Sequence, residues 1–217
     1  MDPITQQTVL AAAGAAGGDK VYVDDVFSTF LYDGTGSAQT IVNGIDLAGE
    51  GGMVIQRRRN VTGHWFVNDT ENGANNFHYT NLTNGLGVGT SGSSFNSNGF
   101  TIGAENNLHA SGNEVASWTF CKAPRFFDIV TYTGDGSDNR TISHNLGSVP
   151  GLIIIKRTGA TSNWYVYHRS LGANKMLRLD QTSAEQDGSL TFPSVPTSST
   201  FEISRNANSD QSGNTYV

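Results

Sequence analysis

Apolar residues in this chain gather in short runs that alternate with polar ones at every second position, the pattern of half-buried strands. The runs include Phe27 to Tyr32, Met53-Val54-Ile55, Trp65-Phe66-Val67, Gly99 to Ile102, Leu152 to Ile155, Trp164-Tyr165-Val166 and Phe201-Glu202-Ile203. Between them stand clusters of Gly, Asn, Asp, Ser and Thr. Asp33-Gly34 and Asp135-Gly136 read as hairpin-type turns, and Val149-Pro150-Gly151 and Asn98-Gly99 as turns that start strands. Strand follows strand with no helix-period segment between, so the pattern predicts an all-β chain of antiparallel sandwiches of jelly-roll or lectin-like type.

The pattern also occurs twice. Phe27 to Phe120 and Phe127 to Val217 superpose at an offset of about 100 residues: Gly52-Met53-Val54-Ile55-Gln56-Arg57-Arg58 matches Gly151-Leu152-Ile153-Ile154-Ile155-Lys156-Arg157, and Trp65-Phe66-Val67 matches Trp164-Tyr165-Val166. Ser111-Gly112-Asn113 matches Ser212-Gly213-Asn214. Three units follow: residues 1–20, a first β-sandwich repeat over 21–123, and a second over 124–217. The first repeat continues through Glu114 to Phe120, whereas the second stops at Thr215-Tyr216-Val217 with no counterpart of Ser117 to Phe120. An incomplete last strand leaves a sheet edge open, and the expectation is a longer native product.

The first unit breaks the pattern. Asp2 caps, Pro3 suits the first helical position, Gln6 to Ala13 propagate and Gly17-Gly18 terminate, so a short helix is predicted. Its small side chains permit close packing on a partner, with Pro3, Ile4, Val9, Leu10 and Ala13 as the docking candidates; the other reading of this stretch is a frayed start.

Within the repeats, Ile153-Ile154-Ile155 is apolar on both faces and reads as a central strand. Trp65 and Val67 share a face, as do Trp164 and Val166, and recurrence at the same place marks that face as core. Phe66, Tyr165 and Tyr167 then point the other way. Tyr165, Tyr167, His168 and Arg169 form a local cluster suited to stacking on a sugar and bonding its hydroxyls.

Composition narrows the function. The chain of 217 residues holds 26 glycines, only 15% charged residues and a net charge of −6, a balance that supplies no basic field for nucleic acid. Arg57-Arg58-Arg59 is the exception and reads as a solvated strand end. Cys121 is the single cysteine, so neither an intrachain disulfide nor a cysteine metal site is available. The five histidines are scattered without metal-ligand spacing, no Gly-x-Ser-x-Gly elbow occurs, and Gly85-Leu86-Gly87-Val88-Gly89 reads as a flexible surface loop. Asp135 to Asn139 breaks the calcium-loop pattern and reads as a turn. Asp69 and Glu71 share a strand face by spacing, but their counterparts are His168 and Ser170, so an acid pair is not built into the duplicated scaffold. No enzyme activity, cofactor or metal is expected.

Tyr132-Thr133-Gly134-Asp135-Gly136-Ser137, the run from Thr141 to Arg157, and Tyr167-His168-Arg169-Ser170-Leu171-Gly172-Ala173 together resemble the repeat of tail-fibre and related virion proteins of marine bacteriophages, especially those infecting cyanobacteria. Met1 to Thr8 and Tyr22 to Tyr32 resemble the start of such fibres. The resemblance implies a virion structural protein made in the host cytoplasm and located in the tail. Its N-terminal part would attach the fibre to tail proteins such as an adaptor, nozzle or collar, as a homotrimer that supports host attachment, with a host-surface glycan as a further partner and no nucleic acid or membrane insertion. The alternatives are a carbohydrate-binding receptor-recognition module and a polysaccharide depolymerase, the latter requiring carboxylates that converge in one cleft.

Overall fold

The computed structural model describes residues 21–104, 107–206 and 209–217. The expected helix of the first unit, with Pro3, Ile4, Val9, Leu10 and Ala13, lies outside the described residues.

A helical turn at Val23–Val26 leads into β1 (Phe27–Asp33), β2 (Gln39–Val42), β3 (Gly52–Arg58), β4 (Phe66–Asp69), β5 (Asn76–Tyr79), β6 (Gly87–Val88), β7 (Ser94–Asn96), β8 (Gly99–Ile102) and β9 (Glu114–Cys121). One sheet has the order β1-β9-β3-β4-β5-β6 and the other β2-β8-β7, with antiparallel pairing throughout. Alternation along β3 turns Val54 inward, and Tyr32, Phe66 and Val115 of the same sheet meet Ile41, Phe100 and Ile102 of the other in one buried cluster. Two antiparallel sheets with a shared apolar interior make a β-sandwich.

The Asp-Gly turns do not close hairpins. β1 pairs with β9, while β2 pairs with β8, so Asp33-Gly34 carries the chain from one sheet to the other. What Gly34 supplies is room: a Cβ there would stand 2.5 Å from the Ala110 carbonyl oxygen, and at the matching Gly134 it would stand 2.3 Å from that of Gln211.

The second repeat has β10 (Tyr132–Thr133), β11 (Arg140–Ser143), β12 (Leu152–Ile155), β13 (Tyr165–His168), β14 (Lys175–Arg178), β15 (Gln186–Asp187), β16 (Thr200–Ile203) and β17 (Thr215–Tyr216). The sheet orders are β12-β13-β14-β15, β11-β16 and β10-β17. Ile142, Ile155, Tyr165, Tyr167, Met176, Phe201, Ile203 and Tyr216 form its core. The chain is therefore all-β, with two tandem antiparallel repeats.

The Ile153-Ile154-Ile155 strand, expected as central, differs in its surroundings from its first-repeat counterpart. In the first repeat β3 lies between β9 and β4, but among the described residues β12 pairs with β13 alone and leaves Leu152 53% and Ile154 38% exposed. The place of β9 is filled only as far as Val217, whose N–H and carbonyl bond the backbone of Lys156.

The first core also encloses a polar network. The Tyr32 hydroxyl donates to Gln56 Oε1 at 2.7 Å and lies 3.1 Å from His109 Nε2, while Gln56 Nε2 donates to Asn68 Oδ1 at 3.3 Å. Gln56 and His109 are fully enclosed and Tyr32 is buried, so these groups order the interior and cannot meet a ligand. The matching positions Ile155 and Tyr167 join the apolar cluster of the second repeat.

Candidate functional site

The last inward residue of β3 is Gln56, and the next position, Arg57, lies on the outer face of the sheet. A short loop then brings Trp65 back beside it, with the guanidinium 4.7 Å from the ring centroid. The second repeat builds the same pair: Lys156 follows β12, and its ammonium lies 5.6 Å from the centroid of Trp164. A cation against an indole face is attracted by the ring quadrupole, so each repeat presents one cation–tryptophan corner.

The two corners have different fates. In the second repeat the segment Tyr79 to Leu86 of the first repeat covers it. Trp164 Nε1 donates to the Tyr79 and Leu82 carbonyls at 3.0 and 3.2 Å, and Lys156 Nζ donates to the Thr83 carbonyl at 2.9 Å and to the Ser162 carbonyl at 2.5 Å. The Ser162 N–H also reaches the Thr83 carbonyl, and the Leu86 N–H reaches the Thr158 carbonyl, at 2.8 and 2.7 Å. His78 meets Trp164 edge-on at 5.5 Å. Lys156 has no solvent exposure, and burial lowers its pKa to about 8 with Asp180 opposing the shift. His78 is pushed down to about 4, chiefly by burial and secondly by the Lys156 charge.

In the first repeat the corner is open. Trp65 stacks on Trp118 at 5.4 Å, and Thr29, Leu31, Arg57, Arg58, Arg59 and Ala116 complete the walls of a cleft of about 330 Å³. Arg58 Nη2 donates to the Thr62 carbonyl and Arg59 pairs with Glu114 at 2.9 Å. Among the described residues the Arg57 side chain makes no hydrogen bond or ion pair, and its Nε is buried without an acceptor. The cleft thus offers aromatic faces, positive charge and unused donors, a constitution that accepts a segment rich in carbonyl or carboxylate oxygens.

The repeat is a recognised unit. Residues 23–126 and 122–217 each match the family described as Domain of unknown function (DUF7483). The chain belongs to this family. It holds two tandem DUF7483 domains, and no curated protein and no solved structure matches it.

Within the second DUF7483 domain the proposed sugar-stacking cluster does not assemble. Tyr165 and Tyr167 are each 2% exposed and lie in the core, whereas His168 and Arg169 are exposed. The cause is register: β13 pairs Tyr165 with Ile155 and Tyr167 with Ile153, and that face of the sheet looks into the sandwich. Phe66 is buried likewise in the first domain, packed on Phe77 and Tyr79. The tryptophans take the outer face. Trp164 is buried by the neighbouring domain and Trp65 is half-buried beside Trp118, so neither belongs to its own domain's apolar cluster.

Two further readings change. Gly85 to Gly89 is part of the joint between domains rather than a free loop, since Leu86 bonds Thr158 and Gly87–Val88 pairs with β5. Asp69 is buried and accepts from the backbone and side chain of Asn72, each at 2.8 Å, while Glu71 pairs with Lys122. The acids therefore serve separate structural ends. The joint had one sequence signal: the cation eight residues before a tryptophan, present in both copies as Arg57 with Trp65 and Lys156 with Trp164.

Proposed function

We propose that this protein is a structural component of a bacteriophage virion, a tail-fibre protein whose N-terminal part attaches the fibre to the tail machine and supports attachment to the host cell. The observation that carries the reading is the joint between the two domains. A chain that merely strings domains together needs a loose linker, but here a fully enclosed lysine and a buried tryptophan of one domain bond backbone carbonyls of the other. Such a contact restricts the motion of one domain against the other, which suits a spacer. The likeness of Tyr132 to Ser137, of Thr141 to Arg157 and of Tyr167 to Ala173 to phage fibre repeats supplies the virion assignment. On this reading the protein has no catalytic role, acts as a homotrimer and binds other tail proteins through residues 1–20.

Antibody raised against the two domains is expected to decorate the tails of purified particles in electron micrographs. Label found only in the soluble lysate would sink the assignment. Deletion of residues 1–18 is expected to leave the domains folded but absent from particles; normal incorporation would remove the docking role of that segment.

A further inference from the structure

We infer that the open Arg57–Trp65–Trp118 cleft of one molecule receives the Arg178–Glu185 segment of a second copy of this chain, in the manner that the Lys156–Trp164 corner receives the Tyr79–Leu86 segment within the chain.

The inference starts from equivalence. Trp65 N–H donates to Asn81 Oδ1 and Trp164 N–H donates to Asp180 Oδ1, at 3.2 and 3.0 Å, while the N–H groups of Thr80 and Leu179 both return to the carbonyl of that same tryptophan at 3.1 Å. Leu82 N–H bonds the Tyr79 carbonyl as Gln181 N–H bonds the Arg178 carbonyl, each at 3.3 Å. The two segments therefore have the same backbone course and the same seat within their own domains. One of them is occupied: Leu82, Thr83, Gly85 and Leu86 are half-buried against the second domain. In the other, Leu179 and every residue from Gln181 to Glu185 are exposed.

The contact that exists is made almost wholly by backbone atoms of the inserted segment. Tyr79, Leu82 and Thr83 give carbonyls and Leu86 gives an N–H, so the recognition transfers to a segment of different side chains. Transferred, the carbonyls of Arg178, Gln181 and Thr182 face the Trp65 indole N–H and the Arg57 guanidinium, and the Glu185 N–H faces the Arg59 carbonyl. Charge agrees with this pairing. The corner carries Arg57, Arg58 and Arg59, of which Arg59 is paired with Glu114, and the segment carries Asp180 and Glu185 beside Arg178, with Glu185 paired to Lys175, so a net positive corner meets a net negative segment. One position resists it. Ala184 stands where Gly85 does, and a Cβ on Gly85 would meet the Thr158 carbonyl oxygen at 2.8 Å, so the second copy seats less closely than the internal one. The surfaces that meet are different on the two copies. Such a contact closes into a ring or runs on as an open series. It stands apart from the virion reading, because it is a property of the purified chain.

Sedimentation velocity of the full chain over a wide concentration range tests it. Association is expected that weakens with salt, weakens about tenfold in Arg57→Glu through charge reversal, and tightens about fivefold in Ala184→Gly as the overpacked methyl is removed. Ala184→Leu, a change at an exposed position, blocks the segment but leaves the corner intact. Alone, Arg57→Glu and Ala184→Leu are each expected to remain monomeric where the parent associates; mixed, they form a one-to-one dimer, since each supplies the surface the other lacks. A parent that is monomeric throughout, association indifferent to Arg57 and Ala184, or a mixture that stays monomeric would each overturn the proposal.

Discussion

A lysine shut away from water is costly unless its charge meets acceptors, and Lys156 shows how one chain satisfies that demand with atoms drawn from two domains. Its ammonium has the Ser162 carbonyl from its own domain, the Thr83 carbonyl from the neighbour and the face of Trp164. Lys156→Met keeps the aliphatic stem but removes the donor, and a loss of about 2–3 kcal/mol is expected, read from urea unfolding. Trp164→Phe keeps most of the ring and removes the N–H shared by Tyr79 and Leu82, with an expected loss of about 1–2 kcal/mol on the same measurement. The histidines give a pH dependence. His78 and His109 are held near pKa 4 by burial, below the ordinary 6.5, so the unfolded chain binds protons that the folded chain refuses. Stability present above pH 6.5 is therefore lost as the pH falls through the range down to about 4. His109→Gln is expected to flatten part of that slope in unfolding curves taken at successive pH values; an unchanged slope would show that His109 is not a source.

At the scale of elements, the same pattern of strands yields a wide sheet in one repeat and smaller sheets in the other. β9 bridges β1 and β3 over its whole length, whereas β17 pairs over Tyr132–Thr133 and, among the described residues, β12 has one strand neighbour. The first sandwich core is correspondingly continuous, and Phe100→Ala there is expected to cost about 3–5 kcal/mol in chemical denaturation, because the cavity lies between both sheets. The segment from Tyr79 to Leu86 depends on a glycine for its fit. In Gly85→Ala the new Cβ would stand 2.8 Å from the Thr158 carbonyl oxygen and 3.1 Å from the Ala160 nitrogen, and both belong to backbone. Faster amide exchange is expected at Leu86 and Ser162, whose N–H groups bond across the joint, with exchange in β3 and β9 unchanged.

For the whole molecule, the joint turns a duplicated sequence into a directional object. One domain contributes a backbone segment, the other a cation–tryptophan corner, and neither end is its own complement. Coupling of this kind makes unfolding of the two domains cooperative. Calorimetry of the parent is expected to show one transition that divides into two in Lys156→Met; a parent with two transitions would show that the joint contributes little to cohesion.

Much of this was legible in the residues. Alternation, turn composition and the matched runs were enough for strands, tandem repeats and an all-β class, because those depend on local spacing and on which side chains avoid water. The faces of the strands were not. A strand with apolar residues on both sides gives no local sign of which side looks into its own sandwich, and Tyr165 and Trp164 are adjacent and both buried for different reasons. Register decided for the tyrosine, since pairing with Ile155 and Arg178 sets it toward the core. The neighbouring domain decided for the tryptophan. The arginine run and the paired tryptophans looked ordinary when taken singly, as a strand end and as core residues. Only the fold sets Arg57 over Trp65 and brings Trp118 from a strand far along the chain to lie against them, because β9 returns to pair with β3. Sequence alone thus determined the period and the repetition. Tertiary structure decided which apolar face was core and which was contact, for the physical reason that water is excluded by whatever packs against a residue, whether its own sheet or the next domain.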